Sequence, residues 1–493
     1  MPTRTPDRAR ARESGDRTML RSSAVVAACL VLVGVIGTLG ARGWGRVPFN
    51  VPSVPWYHSW PYYLFWAPRV DWSWALLALP VAVLAAVALV AAGLGVLGTG
   101  WARSRLAWLA GSLVGAFTLD LAVAALAGGP AAWRAPLAYL GEYAPAVGQV
   151  GPIPDFLRHF AERVPTLPTF PNQHPPGATI LYVLVARVWP GLDGAAIATV
   201  ATACLGLLVV AGLARDELGA DGERWAVVCW ALAPVVVLYS ASSADAMWAP
   251  VLAGAALAAD RGLQRRSLAW TAAGGLLLWA ASMMTFAAVL VLPFLAVRAA
   301  AVAWPGAWPR HLGQSGADEG DPEGDADRGE PAAWRWVVRW AAITCAAVLA
   351  LAILLWLATG YDPVAAVRAV SGSYHGATTT HARVWWVWLF GDLVAFLAIL
   401  GFPLAAGLLA GTWAALRRRA YGSFEVATLA SLATAALWGH TKGEVERMWQ
   451  FLVPFAVVVA VRQLRRWHAP LPLVAALLLA QALAVQVLFF TRW

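Results

Sequence analysis

Lysine is almost missing from this chain: of 36 basic residues, only Lys442 is not arginine. Charge as a whole is scarce, at 13% of residues, against roughly 25% in an average soluble domain. So few charges cannot cover a water-facing surface of this size. Cysteine is scarce too, and Cys29, Cys204, Cys229 and Cys345 all fall inside apolar runs. They read as packing residues, not as a disulfide framework or a metal site. No Gly-rich phosphate loop, Walker lysine or Cys-x-x-Cys pair occurs, which argues against a nucleotide-driven pump.

What is abundant is apolar. Hydrophobic residues make up 60% of the chain and the mean hydropathy is +0.64. Residues 75–98 and 471–490 carry no charged side chain, and each run is long enough to cross a hydrocarbon core of about 30 Å as a helix. The expected fold is an all-α, polytopic transmembrane helix bundle. The net charge of +9 is spread over many short segments, which suits topology and anionic lipid headgroups and speaks against nucleic acid. Arginine in place of lysine, with abundant Ala, Gly, Val and Trp, points to a GC-rich bacterial genome.

Apolar runs predict about thirteen spans, near 23–40, 73–98, 106–127, 194–214, 225–241, 246–260, 268–282, 286–303, 337–359, 385–411, 423–439, 450–462 and 470–490. With the N-terminus cytoplasmic, about two thirds of the basic residues fall inside, Arg417–Arg419 among them, as the positive-inside rule requires. Residues 177–189 are apolar but too short for a span and would invert that arrangement if counted, so they read as a short or re-entrant helix. The organisation is then a basic cytoplasmic tail (1–22), read with the first span as an uncleaved signal anchor. An N-terminal transmembrane module (23–303) follows, with a large external loop at 128–176. A cytoplasmic acidic linker (304–336) leads to a C-terminal transmembrane module (337–493). Within the linker, residues 313–331 are acidic, rich in Gly and Pro, and expected to be disordered.

Short loops suffice to reverse a chain, so long polar loops on one side imply that function sits there. The 128–176 loop carries Glu142, Asp155, His159, Glu162 and His174, and ends in His174-Pro175-Pro176-Gly177. Proline suits the first turn of the helix that follows. His174 reads equally well as a backbone-bonded residue ahead of that turn or as a site residue. A second segment, Tyr239 to Ala246, reads as an external turn in which Asp245 caps the next helix, serves a site, or both. The third is His440-Thr441-Lys442-Gly443-Glu444-Val445-Glu446-Arg447. There Lys442 and Arg447 suit a phosphate, the arginine as a fork and the lysine as a point charge. Asp362, His375 and His381 in the 360–386 loop match no strong metal pattern. Asp120, Asp392 and Glu425 are placed near helix ends.

These residues, in this order, resemble the C-type glycosyltransferase superfamily, and within it the poorly characterised actinobacterial members. The match runs through Glu142-Tyr143, His174-Pro175-Pro176-Gly177-Ala178-Thr179-Ile180-Leu181-Tyr182, Asp245, and Gly274-Gly275 before Pro293. It covers about residues 106–300, and more loosely 444–454. The resemblance implies an enzyme in the cell membrane with an external active site. It would move a sugar from a polyprenyl-phosphate donor to a glycan, lipid or protein acceptor, inverting if one displacement occurs. It implies Glu142 or Asp155 as general base, with Asp120 a third choice, and His174, Asp245, Lys442, Glu444 and Arg447 as substrate-binding groups. No cofactor is implied, and a divalent metal is left open. The alternative is a multi-span transporter or lipid flippase, which would place ionisable residues near the bilayer midplane.

Overall fold

A computed structural model describes residues 6–43, 64–66, 70–96, 104–305, 308, 326–376, 385–418, 422–439 and 442–491. Among them the one departure from helices and their connections is a ribbon in which Leu64–Trp66 pairs antiparallel with Phe489–Thr491. Among the described residues, seven helices are long and apolar enough to cross a membrane: Ser14–Val35, Trp72–Gly93, Arg105–Ala125, Leu192–Ala231, Phe286–Ala303, Ala332–Thr359 and Leu471–Leu488. Four further apolar helices, Gly177–Val188, Leu268–Ser282, Trp388–Leu400 and Ser423–Trp438, are shorter.

The expected spans are therefore partly broken, and the breaks have local causes. Gly219 takes φ 74°, ψ −173° and interrupts the Leu192–Ala231 stretch. Gly401, at φ 108°, divides the expected 385–411 span into Trp385–Leu400 and Phe402–Arg418. Only glycine takes such angles without strain. The expected disordered linker also needs correction at its end. Residues 313–325 lie outside the described residues, but the Ala326–Thr359 helix already runs through 326–331. Ala326, Arg328 and Glu330 have good helix propensity and precede a strongly apolar helix that they extend.

Lipid tails are as apolar as leucine, so helices in a membrane associate through close packing more than through hydrophobic force. Small residues set that packing here. A Cβ at Gly274 would stand 2.7 Å from the Ala259 backbone, and one at Gly407 2.8 Å from the Ala460 carbonyl oxygen. Three aromatic rings, Phe294, Phe424 and Phe455, join neighbouring helices with centroids 4.7–6.3 Å apart. Cys204 and Cys229 are buried as expected, whereas Cys29 and Cys345 are exposed on their apolar helices.

The bundle also holds charge that composition does not reveal. The buried Arg298 guanidinium donates to both carboxylate oxygens of Asp260 (2.9 and 3.0 Å), to Glu217 (2.8 Å) and to the Ser423 hydroxyl (2.8 Å). Arg462 donates to Glu217 at 3.1 Å and also bonds Glu425. Five helical segments are tied at this end of the bundle. Asp260 lies fifteen residues beyond Asp245 on the Asp245–Gln264 helix, so the two carboxylates stand about 22 Å apart along it at 1.5 Å per residue.

Candidate functional site

The expected loop after Arg105–Ala125 folds into short helices, among them Tyr143–Val150, Ile153–Arg158 and Phe160–Arg163. Val150, Phe156, Phe160, Val164 and Leu167 form a small core with Tyr361 and Val370, so the loop is a packed lobe. Glu142 occupies the N-cap position of Tyr143–Val150, yet its side chain makes no capping bond. The carboxyl is 3% exposed and its Oε2 has no hydrogen-bond partner among the described residues.

His174 stands in extended backbone, at φ −131°, ψ 158°, the conformation a following proline imposes. Its Nδ1 lies 3.0 Å from the Phe170 carbonyl. A carbonyl only accepts, so Nδ1 carries the proton and Nε2 is left as acceptor in the neutral ring. The glycine that closes this motif has a packing reason: the Gly177 N–H donates to the Met283 carbonyl at 2.6 Å, and an added Cβ would meet that oxygen at 2.5 Å. The His174 ring then sits among Tyr143 (6.1 Å) and Trp248 (5.6 Å), with Tyr143 stacked on Tyr182 at 5.8 Å.

Asp245 does not cap its helix; Ala244 holds that position and makes no side-chain bond. The Ser243 hydroxyl donates to Asp245 Oδ2 at 3.1 Å, and the same oxygen takes a bond from Arg447 Nη1. The 239–246 segment, expected as an external turn, is buried throughout, and the Val445–Met448 and Gln450–Leu452 turns pack against the helix it opens. Arg447 Nη2 donates to Glu444 at 2.6 Å, and the guanidinium lies 5.1 Å above the Phe170 ring. That ring position links the 128–176 lobe to the 442–449 segment.

The segment is itself held in an unusual backbone. Gly443 has φ 82° and Glu444 φ 64°. The Gly443 N–H donates to Asp392 Oδ1 at 2.8 Å. Asp392 is buried two turns inside the Trp385–Leu400 helix and not near its end, which corrects its expected placement. Lys442 opens the segment half-buried, and the Arg447 pairs form without it.

These groups act on one another electrostatically. Burial pushes the Glu142 carboxyl up to about 8; nearby Arg447 opposes that, and the Asp245 and Glu444 charges add to it. Burial raises the Tyr143 hydroxyl and lowers His174, with Asp245 and Arg447 acting on both. Burial works against the charge on Arg447, but Asp245 and Glu444 outweigh it, so the guanidinium is held protonated. Glu142, His174, Asp245, Glu444 and Arg447 thus form one cluster.

Asp155 stands apart. It is 44% exposed and pairs with Arg163 at 2.5 Å and His159 at 3.1 Å within its own lobe. Asp120 is buried in the Arg105–Ala125 helix, where the Cys204 thiol approaches Oδ2 at 3.7 Å. Asp362 caps the Pro363–Gly376 helix by accepting from Val364 (2.8 Å) and Ala365 (3.0 Å). His381, His440 and Thr441 lie outside the described residues, as does the His375 side chain. Among the described residues, no three His, Cys, Asp or Glu side chains are grouped to hold a metal ion. Sequence reasoning gave no role to Asp392, Ser243, Phe170 or Trp248. Asp392, alone in an apolar helix, was the one of them with a visible signal.

No family model matches the chain, and no curated protein matches it significantly.

Proposed function

We propose that the chain is an integral membrane glycosyltransferase that moves a sugar from a polyprenyl-phosphate donor to an acceptor hydroxyl at the external face. The observation that carries this reading is the buried Glu142 carboxyl, whose Oε2 has no hydrogen-bond partner among the described residues, beside Arg447. A glycosyl phosphate already has a good leaving group, so the reaction needs a base for the acceptor and positive charge for the departing phosphate. A positioned carboxylate supplies about 10²–10⁴-fold as general base, and a guanidinium aimed at the phosphate stabilises charge where it develops. Glu142 is the base, Arg447 faces the phosphate, and Asp245 orients Arg447. His174 Nε2 offers an acceptor to a sugar hydroxyl, and Lys442 adds a second cation. The donor's apolar tail lies among the helices.

An external site is supported by which residues meet. Asp71 N–H bonds the Leu126 carbonyl at 3.0 Å, Leu64–Trp66 pairs with Phe489–Thr491, and Glu142, Asp245 and Arg447 share a cluster. All of these segments read as external. Arg105 with Glu223, and Glu217 with Arg298 and Arg462, meet at segments that read as cytoplasmic.

A transporter would use charges along a path through the bundle. Here Arg298 and Arg462 are closed into pairs that brace one end. The test is transfer of labelled sugar from polyprenyl-phosphate donors by the purified full-length protein. Transfer is expected, and Asp155→Asn retains it, since an exposed pair is worth about 1 kcal/mol or less. A wild type that binds no lipid-linked sugar overturns the reading.

A further inference from the structure

The guanidinium assigned to the phosphate is already occupied. Both outer nitrogens of Arg447 are bonded to carboxylates of the protein, Nη1 to Asp245 and Nη2 to Glu444. An incoming phosphate that takes this same fork competes with both carboxylates for it, and the less firmly held of the two gives way. They are not held alike. Asp245 is 4% exposed, starts a twenty-residue helix and is fixed by the Ser243 hydroxyl. Glu444 is 17% exposed and sits between Gly443 and a four-residue helix, in left-handed backbone that costs a non-glycine residue energy. The strain is maintained by neighbours: the bond from Gly443 N–H to Asp392, and the bond from Arg447 Nη2 to the Glu444 carboxylate.

We infer that Glu444 is a self-occupying latch, an internal stand-in for a phosphate that covers Arg447 in the empty site and is displaced when a phosphate monoester or diester arrives. The inference rests on the glycosyl-transfer reading for the source of the phosphate, though not for the latch itself. Displacing Glu444 exchanges one anion for another on the same guanidinium and lets residue 444 leave the left-handed region.

The latch predicts that weakening Glu444 tightens phosphate binding. The full-length protein in nanodiscs is titrated with inorganic phosphate, farnesyl phosphate and farnesol. Glu444→Gln, which keeps size but loses charge, is expected to bind farnesyl phosphate about tenfold more tightly than wild type, the scale of one charge-assisted bond no longer in competition. Farnesol binding is expected not to change. Glu444→Asp, whose shorter side chain keeps the charge but holds the fork less well, is expected to fall between, and it guards against a folding defect in the glutamine variant. Equal or weaker binding of both phosphates by Glu444→Gln overturns the latch. If inorganic phosphate shows the gain and farnesyl phosphate binds neither protein, the latch stands and the polyprenyl donor is wrong. If farnesyl phosphate binds wild type and variant alike, the donor reading stands and the latch is wrong.

Discussion

Glu142→Gln is expected to lower sugar transfer by about 10²–10⁴-fold, the range a positioned general base supplies, while donor lipid still binds. It is also expected to make the protein more stable, which separates a functional carboxyl from a structural one. Burial holds this carboxyl at about 8, against an ordinary 4.5. The native state therefore binds the proton more tightly than the unfolded chain. The associated stability is full below pH 4.5 and is lost as pH rises through 8. Glutamine carries no such loss. The stability gain of Glu142→Gln, read from the thermal midpoint, should be near zero at pH 4.5, grow through neutrality and level off above pH 8, at a free energy on the order of a few kcal/mol. In wild type the ionised fraction, and with it transfer, should rise about tenfold per pH unit below 8. A stability gain independent of pH would contradict this assignment.

Arg298→Met should be the most damaging single change away from the site. It strands Asp260 in the bundle without its fork and leaves Glu217 to Arg462 alone, and breaking a buried pair from one side costs about 3–5 kcal/mol. Lysine is expected to rescue little, because a point donor cannot reach both Asp260 oxygens, Glu217 and Ser423 at once. Adding Asp260→Asn to Arg298→Met should restore part of the loss, since it removes one stranded charge. The thermal midpoint in detergent reports all three variants. Full additivity of the two changes would mean that the pair does not act as one unit.

The two predictions differ in how far the sequence foretells them. Glu142, His174 and Asp245 stand out as polar residues at the mouths of apolar runs, and Pro175-Pro176-Gly177 marks a turn whose glycine proves to dock on Met283. Periodicity and composition read such places well because they are local. Asp155 misled because its partners, Arg163 and His159, are set by how three short helices fold back. One sequence does not show that its charge is spent there. The Arg298 brace was invisible for a related reason: its partners Asp260 and Glu217 stand 38 and 81 residues away, and no pattern in one chain connects them. Helix breaks fell between these cases. Gly219 and Gly401 are each one glycine among many, and nothing local marks them as the ones with positive φ.

The claim beneath the whole account is that Glu142, Asp245 and Arg447, from three distant segments, share one buried site. Infrared titration of the full-length protein tests it without reference to any substrate. A protonated-carboxyl band at neutral pH, absent from Glu142→Gln, should titrate near 8 in wild type. It should titrate lower in Asp245→Asn, where a neighbouring negative charge is gone and Arg447 is released toward Glu142. A Glu142 band that titrates in the ordinary carboxylate range, or that ignores Asp245→Asn, would show that the groups do not meet.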